Sequence, residues 1–400
     1  MSQSIPSEKS LFILGRQPAL GFAELESLFS AEQLLPIGTI AALLDAPAEA
    51  VRFNRLGGSI KQATLLDELP TTDWDKITKY IAKALPGHLA SVPEGKIKFG
   101  ISAYGLKVDA GTVNRSSLWL KKTIKNSGRS VRIVPNNEPA LSSAQVIHNQ
   151  LTSPVGIEIV VVSDGQKSYI AQTVAEQNIE AYAARDQERP KRDTKVGMLP
   201  PKLAQTIINL ANPAFKSTVV DPFCGTGVVL QEAALMGFGI FGSDLEQRMV
   251  DYSKENVQEW LPKNFAIELG NAGFEKGDAT AMQWGDYPYG FDSIACETYL
   301  GRPFSALPDA AILQDVMQDV NLIHKRFLQN VVRQTEPGFR MCIAVPAWST
   351  PQGFKHLKVL DNLKDMGYNR IEFVHARMED LIYHREGQIV GRELVILVRN

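Results

Sequence analysis

The stretch of this sequence best suited to chemistry is "VVDPFCGTGVVLQEA", residues 219–233, in which an acidic residue, a proline and two glycines follow a β-branched run. An amphipathic helical pattern begins directly after them. A ligand at the carboxyl edge of a parallel sheet lies over such a first strand-to-helix turn. Only glycine lets the backbone approach a ligand closely there, and Gly225 and Gly227 supply that room. The stretch therefore predicts a ligand-binding turn.

The type of ligand follows from the residues around the glycines. A pyrophosphate-binding turn would carry a third glycine where this chain has Leu230, and no Walker lysine follows. Asp221 instead offers a carboxylate at the strand end, which could fix a cationic or amine-bearing ligand. S-adenosylmethionine has both a sulfonium and an ammonium group, so it fits this turn better than a dinucleotide does.

Two further carboxylates follow at the ends of the next two predicted strands. Asp244 ends "FGIFGSD", where a doubly wound nucleotide site needs an acceptor for the ribose hydroxyls. It could also cap the helix that follows, and the two roles are compatible. Asp278, in "KGDATAM", could accept from an adenine amine, although such a residue alone is also typical of a surface turn.

The elements that must position these residues alternate between strand and helix from Ser217 onward. Alternation of this kind is typical of βαβ units and a parallel sheet. A long amphipathic helix is predicted between Pro308 and Thr335, and the end of the chain is predicted to close as a hairpin. The predicted strands are "STVVD", "FGIFGSD", "FDSIACE" and "FRMCIAVP".

The first half of the chain shows a different pattern, of two small α+β units that end near residue 175. In the first, the strand "SLFILG" precedes the helix "LGFAELESLF". In the second, the strand "KIKFGISAYG" precedes the helix "SSLWLKKTIKNSG", which ends at Gly128. A helix capped by Ser142 or Ser143 and the hairpin "IEIVVV" with "SYIAQTV" complete it.

This second unit is strongly basic. Between positions 96 and 135 it has nine lysines and arginines, and its one acidic residue there is Asp109. Such a run is either a solvated face or a phosphate-binding surface. Since the net charge of the chain is only −2, a nucleic-acid partner would require positive charge gathered locally in this way. The candidate RNA contacts on one predicted helix and its end are Lys121, Lys122, Lys125 and Arg129.

Composition limits the remaining possibilities. A chain of 400 residues suggests two or three domains, and 44% hydrophobic residues without an apolar run of ~20 predict a soluble protein. The first residues lack the pattern of a secretory signal, which favours the cytoplasm. The three cysteines are too widely spaced for a disulfide framework or a zinc site, and the six histidines show no ligand spacing. We therefore expect buried thiols, no metal and no membrane.

Four motifs together resemble the THUMP-domain tRNA guanosine N2-methyltransferases: "DPFCGTG", "GSDLEQRMV", "GDATAM" and "RDQERPKRD" with "GMLPPKLAQTIINLA". Stretches such as "FGISAYG", "LKKTIKNSGRSVRIV" and "LSSAQVIHNQL" are similar to the N-terminal units of that family. The resemblance implies an α/β chain with a Rossmann-like class I methyltransferase sheet at the C-terminus, preceded by ferredoxin-like and THUMP α+β units that bind RNA. The implied boundaries are 1–90, 91–175, a linker 176–197, and 198–400.

The resemblance also implies roles for individual residues. The ribose of the methyl donor would be held by Asp244 and its adenine amine by Asp278, with Leu245 and Ala279 beside them. The residues that would line the rest of the donor are Asp221, Phe223, Gly225 and Gly227.

One motif departs from the family pattern. The family has Asp-Pro-Pro-Tyr after the fourth strand of the sheet, whereas this chain has "ETYL", with Glu297 at the Asp position. An exocyclic amine is a poor nucleophile, so acceptors must hold its N–H groups and aim its nitrogen at the methyl. Glu297 can accept as Asp does. Tyr299, one position early, would stack on the flipped base.

These observations favour an enzyme that transfers methyl from S-adenosylmethionine to a base in RNA, with the exocyclic amine of a guanosine in tRNA as the expected target. One alternative is a noncatalytic RNA-binding protein with a degenerate methyltransferase domain, against which the carboxylate of Glu297 argues. Another is a nicotinamide-dependent oxidoreductase. The missing third glycine and the basic N-terminal half argue against that class.

Overall fold

The computed structural model describes residues 9–193, 198–288, 290–304 and 306–400, which form two compact units. The first contains residues 9–18, 29–54 and 59–179, and the second contains residues 19–28, 55–58 and the described residues from 180 onward. The boundaries at residues 90, 175 and 197 stay predictions, and positions 1–8 and 194–197 lie outside the described residues. None of the described helices is both long and apolar enough to cross a membrane.

The first unit is built on one eight-stranded sheet with the order β2-β3-β1-β4-β8-β7-β5-β6. The antiparallel pairing of β4 with β8 makes the strands before and after residue 90 one continuous sheet. The hairpin of β7 and β8 is the one predicted from the sequence. The strands are β1 (Ser10–Leu14), β2 (Leu34–Ile37), β3 (Ala41–Leu44), β4 (Ser59–Leu69), β5 (Ile97–Tyr104), β6 (Val131–Ile133), β7 (Gly156–Ser163) and β8 (Ser168–Glu176).

Four helices accompany these strands along the chain: α1 (Pro18–Phe29), α2 (Trp74–Leu89), α3 (Ala110–Asn126) and α4 (Ser143–His148). Helix α4 starts with a capping box in which Ser142, and not Ser143, is the N-cap. Helix α3 starts earlier than its apolar pattern predicts, because the Asp109 carboxylate accepts from the backbone N–H of Thr112. Gly111, Thr112 and Val113 in its first turn are weak helix formers, and they hid that start from the sequence pattern.

A buried ion cluster ties three adjacent strands of this sheet together. Nζ of Lys61 on β4 lies 2.5 Å from Oε1 of Glu158 on β7 and 3.5 Å from Oε2 of Glu176 on β8. The hydroxyl of Thr173 also donates to Glu158, so the buried carboxylate is well supplied with donors. Burial raises the pKa of Glu176 to about 7 even though Lys61 opposes that shift.

The second unit contains a nine-stranded sheet. Its main order is β11-β10-β9-β12-β13-β17-β15, with β14 on β13 and β16 on β17. The strands are β9 (Thr218–Asp221), β10 (Gly239–Asp244), β11 (Ala272–Lys276), β12 (Ser293–Glu297), β13 (Arg340–Thr350), β14 (Gly353–Lys355), β15 (Tyr368–Arg370), β16 (Ile382–Tyr383) and β17 (Val390–Arg399). The helices are α5 (Ile179–Ala183), α6 (Pro201–Ala211), α7 (Val228–Leu235), α8 (Gln247–Lys254), α9 (Leu261–Phe265) and α10 (Ala310–Val332).

The order of the strands creates a crevice. The chain proceeds outward from β9 to β10 and β11, then returns to the other side of β9 with β12 and β13, all parallel. The connections on the two sides of β9 and β12 therefore diverge, and ligands bind at such a switch point, outside the carboxyl ends of the strands. Strand β17 completes the sheet antiparallel to β13. The Rossmann-like sheet predicted from the sequence is confirmed.

Helices cover both faces of this sheet. Successive residues of a strand point to opposite faces, and in these strands the residues on both faces are apolar and buried. On one face, Phe327 and Leu328 of α10 pack in a core with Ile294 of β12 and Ile343 of β13. On the other face, α6 packs on β12 and β13, and α7 packs on β9 and β10. The sheet is thus buried between two helical layers, which leaves its carboxyl edge as the open position.

All of α1 except its first and last residues belongs to the second unit, which the sequence pattern did not indicate. The buried carboxylate of Glu24 accepts from the backbone N–H groups of Gly57 and Gly58, at 2.8 and 2.7 Å, and from Nδ2 of Asn209 at 2.7 Å. A side chain at Gly57 would collide with the backbone of α6, 1.9 Å from the carbonyl oxygen of Lys202. These contacts join three distant stretches of the chain.

Candidate functional site

A cleft of about 600 Å³ lies at the carboxyl edge of the parallel strands in the second unit. Its walls come from the ends of β9, β10 and β12, from the turn after β11 and from α10. The structure brings nine of the ten sequence-predicted donor and catalytic residues into this lining: Asp221, Phe223, Gly225, Asp244, Leu245, Asp278, Ala279, Glu297 and Tyr299. Gly227 is the exception.

Asp221 lies at the end of β9 with its carboxylate almost wholly buried. Its Oδ1 accepts from the backbone N–H of Phe223 at 3.0 Å. Burial raises the pKa of Asp221 well above the usual range, and the nearby Asp244 and Glu297 raise it further. This carboxylate has no cationic partner among the contacts of the described residues, so a cation bound in the cleft would stabilise its ionised form.

The two glycines of the turn have different physical roles. Gly225 has a φ of +50°, and a Cβ added there would meet only the carbonyl oxygen of Phe223, at 3.9 Å. Its missing side chain thus leaves open space beside the cleft. Gly227 has a φ of +84°, and a Cβ there would lie 2.4 Å from Oγ of Ser253 on α8. Gly227 is therefore needed for helix packing and does not line the cleft.

The absent third glycine also has a physical explanation. Leu230 of α7 packs on Gly242 of β10, where an added Cβ would lie 2.3 Å from Cδ1 of Leu230. In a dinucleotide-binding turn the helix carries the glycine that permits close packing on the strand. Here the strand carries the glycine and the helix carries the leucine.

Asp244 connects the end of β10 to the glycine turn. Its Oδ2 accepts from the backbone N–H of Gly225 and its Oδ1 from that of Glu246, both at 3.0 Å. Burial raises the pKa of Asp244, and the two N–H groups oppose that shift. The N-cap of α8 is Glu246 and not Asp244, so this carboxylate faces the cleft while it holds the turn. Leu245 beside it is 66% exposed and offers an apolar surface.

Asp278 lies in the turn after β11. Its Oδ1 accepts from both the backbone N–H and the hydroxyl of Thr280, each at 2.8 Å. The carbonyl of the buried Ala279 accepts from Nδ2 of Asn330 on α10 at 3.1 Å. The turn is therefore anchored to the long helix, with Asp278 at the cleft wall.

Glu297 ends β12, and its Oε1 accepts from Nε of Arg392 on β17. Burial raises the pKa of Glu297, whereas Arg392 lowers it. Sequence reasoning missed Arg392, which is 95 residues away along the chain. The available signal was an arginine within the apolar stretch "VGRELVILV", because a charged residue in a buried strand is rarely without a partner.

Thr298 follows Glu297, and its hydroxyl is in hydrogen-bond contact with a buried histidine. His324 of α10 lies with Nε2 2.7 Å from Oγ1 of Thr298 and Nδ1 2.7 Å from the carbonyl oxygen of Val320. A carbonyl can only accept, so Nδ1 carries the proton. Oγ1 of Thr298 lies 2.7 Å from Nε2 and 2.9 Å from the carbonyl oxygen of Ala344, and its one hydroxyl proton serves these two acceptors. Burial lowers the pKa of His324 to about 4, which agrees with this neutral tautomer. Both ring nitrogens of His324 are thus occupied by polar groups of the protein itself.

The rim of the cleft carries a mixture of predicted and unexpected residues. Tyr299 is 44% exposed, and Leu300 lies beside it. Ile323 and the exposed Arg326 reach the rim from α10, which the sequence pattern identified only as an amphipathic helix.

Among the described residues, no group of three or more His, Cys, Asp or Glu side chains could hold a metal ion. The three cysteines are buried and unpaired.

The candidate RNA contacts lie in the first unit. Lys122 and Lys125 are exposed on α3 and Lys121 is half-buried. Arg129, however, donates from both Nη atoms to the backbone after α2, with 3.0 Å to the carbonyl oxygen of Val92. Its guanidinium therefore holds that loop and is poorly placed for a phosphate. Sequence reasoning missed Trp119, whose ring is 43% exposed on α3.

Comparison with known proteins places these residues in context. Residues 189–298 match the family model described as UPF0020, an RMKL-like methyltransferase domain. The matched segment contains the glycine turn, Asp244, Asp278 and Glu297.

Proteins similar in sequence include two named tRNA (guanine(10)-N2)-dimethyltransferase. The one from Methanothermobacter thermautotrophicus is 38% identical over 101 residues, which cover 24% of this chain and 29% of that protein. The one from Pyrococcus abyssi is 25% identical over 275 residues, 67% of this chain and 73% of that protein. The more similar alignment thus covers less than a third of its relative.

The solved structure of TrmN from Thermus thermophilus superposes with a TM-score of 0.50 at 16% identity. The superposition covers 98% of this chain and all of that one. At this identity the likeness concerns the fold.

The buried His324 predicts a measurable pH dependence of stability. Its pKa is about 4 when folded and ordinary when unfolded, so only the unfolded chain binds a proton between these values. Stability from this group is complete above about pH 6.5 and is lost as the pH falls towards 4. The stability advantage of the parent over His324→Gln should therefore shrink by about 2–3 kcal/mol between pH 7 and pH 4.

Urea titrations at several pH values measure this difference. The exposed His148 on α4 supplies the matched control, since His148→Gln should leave the parent's pH dependence in place. A constant difference between parent and His324→Gln across the range would contradict the neutral tautomer.

Proposed function

We propose that this protein transfers a methyl group from S-adenosylmethionine to the exocyclic amine of a guanosine in tRNA. The observation that carries the proposal is the meeting of Asp221, Asp244 and Glu297 around an open glycine turn at the switch point of the sheet. The match to a methyltransferase domain and the names of the relatives support the same chemistry.

The cleft suits the donor in size and in charge. Its volume of about 600 Å³ falls in the range of small-molecule sites. Burial raises the pKa of Asp221 and of Asp244, and a cationic ligand beside them would oppose that shift and stabilise their ionised forms. S-adenosylmethionine supplies a methyl group activated on a positively charged sulfur. Gly225 leaves room for its amino-acid part near Asp221. Asp244 would accept from the ribose hydroxyls and Asp278 from the adenine amine, with Leu245 against the base.

Glu297 would bind the acceptor. A carboxylate oxygen that accepts an N–H of the amine orients the nitrogen towards the methyl carbon. In such a transfer, the nitrogen lone pair would form the new N–C bond while the S–C bond broke with its electrons returning to sulfur, and Glu297 or water would accept the amine proton. Tyr299, exposed at the rim, would stack on the flipped base.

The first unit would hold the RNA through the exposed side of α3. Lys121, Lys122 and Lys125 supply positive charge there, and Trp119 adds an aromatic surface on which a base can stack. No acidic residue lies within α3, so its charge is not neutralised locally. The RNA bound there would be tRNA, and Arg129 would hold the loop after α2 and make no RNA contact.

The donor site is tested by Asp244→Ala, which should weaken S-adenosylmethionine binding by about 1.5–3 kcal/mol because two ribose hydroxyls lose a charged acceptor. Isothermal titration calorimetry measures the affinity. Asp244→Asn keeps an oxygen for the turn and separates donor binding from folding, and Asp251→Ala on the exposed side of α8 is the control. Donor affinity equal to the parent's in a folded Asp244→Ala would remove this residue from the site.

The acceptor role is tested by Glu297→Ala, which should lower the rate of methyl transfer by ~10²-fold or more at saturating donor and tRNA. Its donor affinity should stay near that of the parent, because the contact is with the amine. Single-turnover measurements give the rate, and Glu297→Asp, which restores the family residue, should recover part of it. The exposed Glu336→Ala serves as the control. A folded Glu297→Ala as fast as the parent would refute the assignment.

The RNA surface is tested by reversing Lys121, Lys122 and Lys125 to glutamate. Each phosphate contact releases counterions, so the variant should bind tRNA more weakly and with a shallower salt dependence. The matched control reverses the exposed Lys76, Lys79 and Lys83 on α2 of the same unit. Equal losses in both variants, or no loss in the first, would place the RNA surface elsewhere.

A further inference from the structure

Glu297 and Arg392 meet across an intervening strand. Strand β13 lies between β12 and β17, with Ala344 opposite Glu297 and Pro346 opposite Arg392. The backbone of Arg392 therefore lies two residues nearer the carboxyl edge of the sheet than that of Glu297. Its side chain crosses β13 to reach the carboxylate. Only 6% of Arg392 is exposed, so the contact is made away from water.

The contact leaves the two carboxylate oxygens in different states. Oε1 is occupied by the Nε–H of Arg392. Oε2 accepts no hydrogen bond from the described residues. If it were buried, it would be an unsatisfied buried oxygen, and it is not among those atoms. It is therefore accessible, and Glu297 lines the cleft. One oxygen is fixed by the protein and the other is available to a ligand.

We propose that Arg392 is a positioning residue for methyl transfer, which holds Oε1 of Glu297 so that Oε2 is presented to an N–H of the target amine. This inference rests on the function proposed above. A glutamate has one more rotatable bond than the aspartate of the family motif, and a side chain with more rotamers needs an anchor to hold one geometry. The planar guanidinium provides a directional anchor that an ammonium group would not.

The surroundings of Glu297 make this contact important for its charge. Arg392 on β17 contacts Glu297 directly. The other ionisable groups that line the cleft with Glu297 are Asp193, Asp221, Asp244, Glu246, Arg248, Asp278 and Arg326. Burial raises the pKa of Glu297 and favours its protonated form, whereas Arg392 favours its ionised form. A protonated Glu297 would donate to the amine nitrogen and occupy its lone pair, so loss of Arg392 removes the acceptor as the pH falls.

The neighbouring residue on β17 provides a natural control. Glu393 points to the opposite side of the sheet and pairs with Nη2 of Arg370 at 2.8 Å and with Nδ1 of His356 at 2.5 Å. Arg370 does not line the cleft. Arg370→Met therefore breaks a comparable arginine–glutamate pair, between β15 and β17, without touching Glu297.

The experiment compares the parent with Arg392→Met, Arg392→Lys and Arg370→Met in the full chain. Single-turnover methyl transfer to tRNA is measured as a function of pH. The ionisation of Glu297 is followed independently by ¹³C NMR of labelled glutamate, with Glu297→Gln to identify its signal.

Arg392→Met should slow transfer by roughly 10–10²-fold at neutral pH, with donor affinity nearly unchanged. In this variant, the transfer rate should start to fall at a higher pH on the acidic side of its pH profile, and the NMR titration midpoint of Glu297 should rise. Both shifts should be about 1–3 pH units, because an adjacent opposite charge lowers a carboxyl pKa by that amount. Arg392→Lys should keep the midpoint near the parent's but recover only part of the rate. Arg370→Met should leave rate and midpoint as they are in the parent.

An unchanged rate and midpoint in Arg392→Met would overturn the proposal. If Arg392→Met fails to fold, Arg392→Lys provides the test. A methyl-transfer rate of Arg392→Lys equal to the parent's would contradict the orienting role. A parent without methyl transfer to any tRNA would refute the proposed function, whereas the NMR midpoint still tests whether Arg392 keeps Glu297 ionised.

Discussion

Three carboxylates crowded at one buried edge of the parallel sheet are the constraint on which the site depends. Burial raises the pKa of Asp221, Asp244 and Glu297, because each would lose much of its hydration when ionised. Backbone N–H groups stabilise the first two and Arg392 stabilises the third. Such a cleft is suited to a ligand that brings positive charge, and a sulfonium donor is such a ligand.

The same carboxylates shape the backbone that surrounds them. Asp244 holds the amide of Gly225, Asp221 holds that of Phe223, and Asp278 holds its own turn through Thr280. The site is thus assembled by the groups that would bind the ligand, and the strand order places those groups together. A change at any of them should alter the shape of the cleft as well as its charge, which is why the conservative Asp244→Asn is informative.

Local patterns predicted much of this structure. The β9 turn, the strand-ending acidic residues and the long α10 follow from glycine placement and from hydrophobic periodicity, so the sheet and the cleft lining could be anticipated. Contacts between distant residues could not. Arg392 reaches Glu297 across 95 positions, Gly227 faces α8 and not the cleft, and Arg129 holds a loop that precedes it by more than thirty residues. The roles of the individual site residues stay predictions.

The central claim is that this cleft methylates a guanosine of tRNA, and nucleoside analysis tests it most directly. The full protein is incubated with S-adenosylmethionine labelled in its methyl group and with total tRNA, and the tRNA is then digested to nucleosides and separated. The account predicts label on a guanosine derivative methylated at the exocyclic amine, in the parent and not in Glu297→Ala. Label confined to another base, or no label in tRNA from a folded parent that binds the donor, would contradict it.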